Sequence, residues 1–295
     1  MRPIASFAKK HPLLSYYVLT FAISWGLVLI LIVKNGMPAT MSQLNAQLPV
    51  AILAMLGGPS ISGLLMTAIV DGKTGFRELR SSLFKWRVNV GWYVLAILIG
   101  PAVLVTALLV SWLTLPTYPP SISVTEVTTT LIVMGVVSGL VTGFCEELGW
   151  TGFVLPKLRV SYGILATGLI MGVIWGAWHI LSNDIWAIRT YSGTFPPVLK
   201  ATLIGLSFLI GQLPAFRVLL VWVYDRTESM PVIMLMHAGL SAASMIIGSL
   251  AIYGTSLAFL YSLFLPGVII WIIIVVFVAV NGWKPPNKKR DRPIT

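Results

Sequence analysis

Long apolar stretches, each of a length that crosses a lipid bilayer, dominate this chain of 295 residues. A bilayer core needs about 20 apolar residues per helix, and only helices or closed barrels satisfy their backbone polar groups there. On that measure the chain has about eight candidate spans, at residues 13–33, 48–70, 90–114, 129–155, 163–182, 199–224, 231–250 and 256–280. The composition agrees, because 57% of residues are hydrophobic and only 10% are charged, too few to cover a water-facing surface. We therefore predict an all-α fold, a polytopic membrane helix bundle.

No internal repeat or linker divides the chain, so we predict one integral membrane domain over residues 1–295, with a basic tail at 284–295. The first apolar stretch is too long for a signal peptide and lacks a small-x-small cleavage site. We expect it to remain as a helix. The single cysteine, Cys145, excludes an intramolecular disulfide framework.

The basic residues predict the orientation. With both termini in the cytoplasm, the inner segments hold 16 of the 20 lysines and arginines, as the positive-inside rule requires. These are Arg2, Lys9, Lys10, Lys73, Arg77, Arg80, Lys85, Arg87, Lys157, Arg159, Arg226, Lys284, Lys288, Lys289, Arg290 and Arg292. The net charge of +11 then attracts anionic lipid of the inner leaflet. A nucleic-acid partner is disfavoured because the charges are scattered over short loops without a binding motif.

Four ionisable side chains lie inside predicted spans: Glu146, Glu147, His179 and His237. Such a group costs several kcal/mol in hydrocarbon unless it is paired or faces water, so each is a functional candidate. Small residues close to both histidines allow neighbouring helices to approach closely. A straight-helix estimate places His179 about 24 Å along its helix but His237 only about 10 Å along its own. Tilt or an interfacial helix start would have to compensate for this difference in depth.

Two imidazoles and a carboxylate form the ligand set of a catalytic zinc site, in which a second carboxylate can take the proton from the bound water. The candidate zinc ligands are Glu146, His179 and His237. Without a metal, the same groups could hold and deprotonate a water molecule by general-base catalysis. The sequence leaves both possibilities open.

The segments "EELGWTGFVLPKL", "WGAWH" and "MHAGLS" together resemble the CAAX protease and bacteriocin-processing family of intramembrane proteases, which includes the Ras-converting endopeptidase. "GGPSISGLL" and "DGKTGFRELRSSLFKWRV" extend the resemblance to residues 55–245. It implies an intramembrane metalloprotease or endopeptidase that cleaves a membrane-associated protein or peptide in a bacterial plasma membrane. In that family the first glutamate and both histidines form the site and the second glutamate supports it, which implies these roles for Glu146, His179, His237 and Glu147.

Two supporting positions depart from the family pattern. Thr151 stands where the family commonly has arginine, and Ser241 stands where it commonly has an asparagine thought to assist the water or the oxyanion. The Ser241 hydroxyl still offers a donor for that role. Trp175 keeps the aromatic character of a position that is usually phenylalanine. We expect Trp150 or Trp178 to line the substrate cavity.

Alternative interpretations remain. The glutamates could be a structural network that joins helices, with Arg217 as a partner, although Arg217 could instead snorkel or pair with Asp225. Cys145 could be a nucleophile, but a lone membrane cysteine is usually a small hydrophobe. The whole protein could be an inactive relative that serves as an immunity or scaffold factor, or a proton-coupled transporter. The sequence does not identify the substrate or establish whether it is prenylated.

Overall fold

The computed structural model describes residues 2–115, 121–122, 129–190, 195–252 and 256–283, and these are almost entirely helical. The predicted tail at 284–295 lies outside the described residues. The helices are α1 (Arg2–Lys10), α2 (Pro12–Asn35), α3 (Met41–Met66), α4 (Gly72–Leu83), α5 (Val90–Thr114), α6 (Thr129–Gly149), α7 (Leu155–Ser161), α8 (Ile164–His179), α9 (Pro197–Leu206), α10 (Gln212–Thr227), α11 (Met230–Leu250) and α12 (Ser256–Asn281). Strands β1 (Ser121–Ile122) and β2 (Ala251–Ile252) form a two-residue antiparallel pair, with Ser121 opposite Ile252. The predicted all-α fold is confirmed.

Seven helical segments of the described chain are long and apolar enough to cross a membrane, one fewer than predicted. The fifth predicted span, 163–182, corresponds to α8, which has 16 residues and is therefore about 24 Å long. A bilayer core is about 30 Å thick. The chain continues from α8 into a π-helical turn, Ile180–Ile185.

Further π-helical turns connect other helices in the described chain. Thr67–Asp71 joins α3 to α4, Trp150–Val154 joins α6 to α7, and Ser207–Gly211 joins α9 to α10. A π turn inserts an extra residue and changes the direction in which the following side chains point, and such turns are frequent at functional sites. The turn at Trp150 begins three residues after Glu147 and the turn at Ile180 directly follows His179.

Glycines set the closest helix contacts around α8. A Cβ atom added to Gly168, Gly172 or Gly176 would lie 2.4 Å from the backbone of α10 or of the turn before it. Side chains at these positions would push the helices apart, because real Cβ contacts are never this short. The close approach predicted from the four-residue glycine spacing is confirmed.

The same kind of contact joins α6 to α11. A Cβ atom at Gly139 would lie 2.5 Å from the Ala238 carbonyl oxygen, and one at Gly143 would lie 2.3 Å from that of Met234. The α6 glycines pack on Ala238 and Ala242 beside His237, so α11 lies directly against the helix that carries both glutamates, in the close contact that the sequence predicted.

Ion pairs join the helix ends at one end of the bundle, which we call the basic end after its residues Lys85, Lys157, Arg159 and Arg226. Lys85 pairs with Glu228 at 2.7 Å, Lys157 with Asp71 at 2.6 Å, and Arg159 Nε with Asp225 at 3.0 Å. Arg226 donates to the Gly282 carbonyl at 2.6 Å. The start of α5 and α11 and the end of α10 and α12 therefore meet there.

Both ends of the described chain lie at the basic end. Helix α1 packs against the turn Thr67–Asp71, whose Asp71 pairs with Lys157. The other end, at Gly282, is bonded to Arg226. The described chain therefore runs an even number of times between the two ends of the bundle when α8 and its π-helical turn are counted with the seven longer segments.

We predict that residues 1 and 295 are on the same side of the membrane, the cytoplasmic side, because the basic loops favour it. Epitope tags at the two ends should both be inaccessible in right-side-out vesicles and both accessible in inverted ones. Opposite behaviour of the two tags would contradict the even count of crossings.

Candidate active site

Glu147 is the centre of a buried polar network. Its side chain and that of Arg217 are both fully buried, and Arg217 Nη1 donates to its two carboxylate oxygens at 2.8 and 3.0 Å. The Thr151 hydroxyl also donates to Glu147 Oε2. His237 Nδ1 lies 2.7 Å from Oε1 and donates to it. Both oxygens are thus enclosed by donors, as a buried carboxylate requires.

The helix packing explains how these donors converge. Glu147 lies in the last turn of α6, Arg217 lies within α10 and His237 lies within α11. Helix α3 fixes this part of α6 from behind, because a Cβ atom at Gly149 would lie 2.3 Å from the Pro59 carbonyl oxygen. The network therefore joins helices that are already held closely together.

Glu146 faces a different direction from Glu147, because consecutive helical residues point about 100° apart. Its residue is 3% exposed, and its Oε2 accepts a hydrogen bond from Trp175 Nε1 at 2.7 Å. Glu146 also lines a cavity of about 410 Å³. The two glutamates thus differ in environment: Glu147 is enclosed by donors, and Glu146 borders open space.

The two histidines line the same cavity as Glu146, together with Trp175 and Ser241. The Trp175 ring lies 5.4 Å from the His179 ring and 5.1 Å from the His237 ring, between centroids. The indole thus contacts both imidazoles. The Arg217 guanidinium lies 4.4 Å from the Trp175 ring centroid, a cation–π contact that holds the indole in place.

Hydrogen bonds assign the tautomers of the two imidazoles. His179 Nδ1 lies 2.8 Å from the Trp175 carbonyl oxygen, and His237 Nδ1 lies 2.7 Å from the Glu147 carboxylate. Both partners are acceptors, so each Nδ1 carries a proton, and the lone pair of the neutral ring is on Nε2. Ser241 lies on α11, one turn after His237, and its hydroxyl is at the same cavity wall.

The predicted metal ion, held by Glu146, His179 and His237, stays a prediction. Among the described residues, no group of three His, Cys, Asp or Glu side chains is placed to hold one. The carboxylate that the zinc mechanism would use as base, Glu147, already accepts from Arg217, Thr151 and His237. The chemistry below is therefore derived without a metal.

Several candidates lie elsewhere than the sequence suggested. Trp150 and Trp178 are buried in the core, and the tryptophan that lines the cavity in the described chain is Trp175. Glu147 and Thr151 are likewise behind the cavity-lining residues. Asp225 pairs with Arg159, because Arg217 lies deeper in α10 and points to α6.

Two further residues line the cavity although nothing in the sequence indicated them. Phe208 and Gln212 line the cavity, and the Phe208 ring contacts His179 at 5.5 Å. Both come from the π-helical turn before α10 or the residue that follows it. Gln212 stands two residues before Pro214, as a polar residue often does at the start of a helix. The sequence therefore gives no sign that Gln212 lines a cavity. The hydrogen bond from Trp175 to Glu146 was not predicted from the sequence either. Trp175 lies four residues before His179 and therefore on the same face of α8.

We predict that Glu147→Gln destabilises the protein by about 3–5 kcal/mol, because it leaves the buried Arg217 charge without its partner. Arg217→Met should be comparably harmful, whereas the double variant should be less destabilised than the sum of the two. Unfolding by heat or denaturant in detergent measures this. The half-exposed pair Lys85 and Glu228, changed to Met and Gln, is the control and should cost less than about 1 kcal/mol. Additive effects of the two buried substitutions would contradict the assigned contact.

Comparison with known proteins adds an independent finding. Residues 128–243 match the family model described as type II CAAX prenyl endopeptidase Rce1-like. A search of curated proteins found no match. The matched segment contains Glu146, Glu147, His179, His237 and Arg217, whereas the resemblance of residues 55–127 lies outside it and stays a prediction. This chain is an integral membrane protein that carries an Rce1-like domain at residues 128–243, and the predicted family resemblance is confirmed.

Proposed function

We propose that this protein is an intramembrane endopeptidase that hydrolyses a peptide bond in a membrane-associated protein or peptide. The observation that carries the proposal is the cavity shared by Glu146, His179, His237 and Ser241. A carboxylate, two imidazoles and a hydroxyl at the wall of one cavity are the groups that water activation and oxyanion stabilisation need. The family model supports a CAAX-type protease activity at the level of the family.

In the proposed reaction, Glu146 takes a proton from a water molecule in the cavity. The water oxygen forms a bond to the scissile carbonyl carbon, and the carbonyl electron pair moves to oxygen. Trp175 orients the carboxylate through its indole N–H. Return of the proton to the amide nitrogen breaks the carbon–nitrogen bond and gives a carboxylic acid and an amine.

The negatively charged oxygen of the tetrahedral intermediate needs hydrogen-bond donors on the side of the reacting carbon away from Glu146. Ser241 can donate its hydroxyl proton to it. An imidazole can also donate once its ring is protonated at both nitrogens. Glu147 holds His237 in place from behind through Nδ1, so its role is to position the imidazole. This assignment separates the two adjacent carboxylates into a reacting group and a positioning group.

We predict that Glu146→Gln lowers peptide hydrolysis about 10²–10⁴-fold, because the amide keeps the volume but cannot accept the proton. The assay incubates purified protein with a prenylated and unprenylated peptide library and detects new termini by mass spectrometry. Glu78→Gln, an exposed carboxylate on α4, is the matched control and should retain wild-type activity. Turnover by Glu146→Gln at the wild-type rate would rule out the assignment and favour the inactive-relative interpretation.

Per folded molecule, Glu147→Gln should reduce hydrolysis less than Glu146→Gln, because Glu147 does not border the cavity. The comparison uses the same peptide library and normalises each rate to the folded fraction. A reversed order of severity would mean that the other member of the pair is the base.

Zinc held by Glu146, His179 and His237 is the alternative proposal. Metal analysis of the detergent-purified protein, alongside the double variant His179→Ala, His237→Ala, separates the two. The metal-free mechanism predicts less than one zinc per chain and the same low content in the double variant. One zinc per chain that the double variant loses would establish the zinc mechanism instead.

A further inference from the structure

The cavity extends from the reactive groups toward the end of the bundle opposite the basic end. Helices α5 and α11 both start at the basic end, where Lys85 pairs with Glu228 and its carbonyl accepts from Ser229. The α5 residues that line the cavity, Leu104 to Ser111, lie in the last half of that helix. On α11 the lining continues from His237 to Gly248, a distance of roughly 16 Å along the helix.

Helix α12 runs in the opposite direction and gives the same result. Its last turn is at the basic end, since Gly282 accepts from Arg226. Its lining residues, Ser262 and Pro266, lie near its first turns. The lining residues of α5, α11 and α12 therefore all place the cavity between the reactive groups and the end opposite the basic end, which we call the far end.

Packed side chains close the path from the site to the basic end. Leu79, Met230 and Met234 form a buried cluster there, with exposures of 7%, 0% and 9%. Val232 and Ile233 on the same turn of α11 are fully buried. The fully buried Glu147–Arg217 pair lies behind the cavity-lining residues. In contrast, Ser244 and Gly248 on the far side are exposed.

The wall beyond the site is uncharged. It combines apolar side chains such as Leu108 and Ile247 with the hydroxyls of Ser111, Ser244 and Ser262. The ionisable groups among the described lining residues are Glu146, His179 and His237, all at the site. An uncharged peptide segment fits this wall, because its apolar side chains are buried without cost and its amides can bond the hydroxyls.

We propose that the substrate peptide enters from the end opposite the basic end, as an uncharged segment passing between α5, α11 and α12. Which face of the membrane this end occupies follows from the orientation of the basic loops, which stays a prediction. The substrate part rests on the proposed function; the direction of access rests on the cavity alone.

Cysteine accessibility tests the direction without an activity assay. In a Cys145→Ala background, Ser244→Cys and Ser262→Cys place a thiol on two different helices of the cavity. Arg87→Cys marks the basic end, where this exposed residue precedes α5. Leu109→Cys is the matched control on α5, since Leu109 is 54% exposed and absent from the cavity lining. A thiol in lipid forms no reactive thiolate.

A membrane-impermeant maleimide is added to right-side-out or inverted vesicles. The expected result is labelling of Ser244→Cys and Ser262→Cys only from the side that does not label Arg87→Cys, with Leu109→Cys unlabelled from both. Labelling from the same side as Arg87→Cys would overturn the proposal. Reaction of the cavity thiols only with a lipid-soluble maleimide would also overturn it, because the opening would then be lateral.

A second experiment distinguishes a failure of the proposed function from a failure of the proposed access route. Maleimide on Ser244→Cys should reduce peptide hydrolysis at least tenfold, whereas maleimide on Arg87→Cys should leave it unchanged. If the labelling pattern is as expected but the wild-type protein cleaves no peptide, the access route stands and the endopeptidase assignment fails.

Discussion

The contact between Arg217 and Glu147 is the interaction on which the rest of the site depends. It lies inside the bundle, where an unpaired charge would cost several kcal/mol, and the side chains of both residues are fully buried. It joins α10 to α6, and through His237 it also fixes α11. One carboxylate of the adjacent pair is therefore used to hold three helices and an imidazole in register, and the other is left to border the cavity.

Arg217 also influences Glu146, indirectly through Trp175. Its guanidinium lies over the Trp175 ring, and the Trp175 indole donates to Glu146. Close packing of α8 on α10 through Gly168 and Gly172 brings Trp175 within reach of Arg217. The glycine spacing, the buried cation and the orientation of Glu146 are thus parts of one arrangement. Thr151 contributes a hydroxyl to Glu147, and the buried cation beside Glu147 comes from α10.

Much of the helical fold and several residues of the candidate site could be predicted from the sequence pattern alone. Helix α5 matches its predicted span, since a long apolar stretch has one stable form in a bilayer. Glu146, His179 and His237 could be selected as candidates because an ionisable group costs several kcal/mol in hydrocarbon unless it is paired or faces water, and the three line one cavity. The length of α8 was not predictable, because the first two residues of its π-helical continuation, Ile180 and Leu181, prolong the apolar stretch beyond the end of the helix. Which glutamate faces the cavity depends on helix rotation, and the partner of Arg217 depends on which helix lies opposite. Both are set by packing between distant segments, which a single sequence does not encode locally.

The division of roles between Glu146 and Glu147 is the central claim, and carbodiimide labelling tests it most directly. Dicyclohexylcarbodiimide, a lipid-soluble reagent, modifies carboxyl groups that it can reach inside a membrane protein, and tandem mass spectrometry locates the adduct on one of the two adjacent residues. The structure predicts modification of Glu146, which lines the cavity, and protection of Glu147 until the protein is unfolded, because Arg217, Thr151 and His237 enclose its oxygens. Modification of Glu147 in the folded protein at a rate equal to or above that of Glu146 would contradict the account.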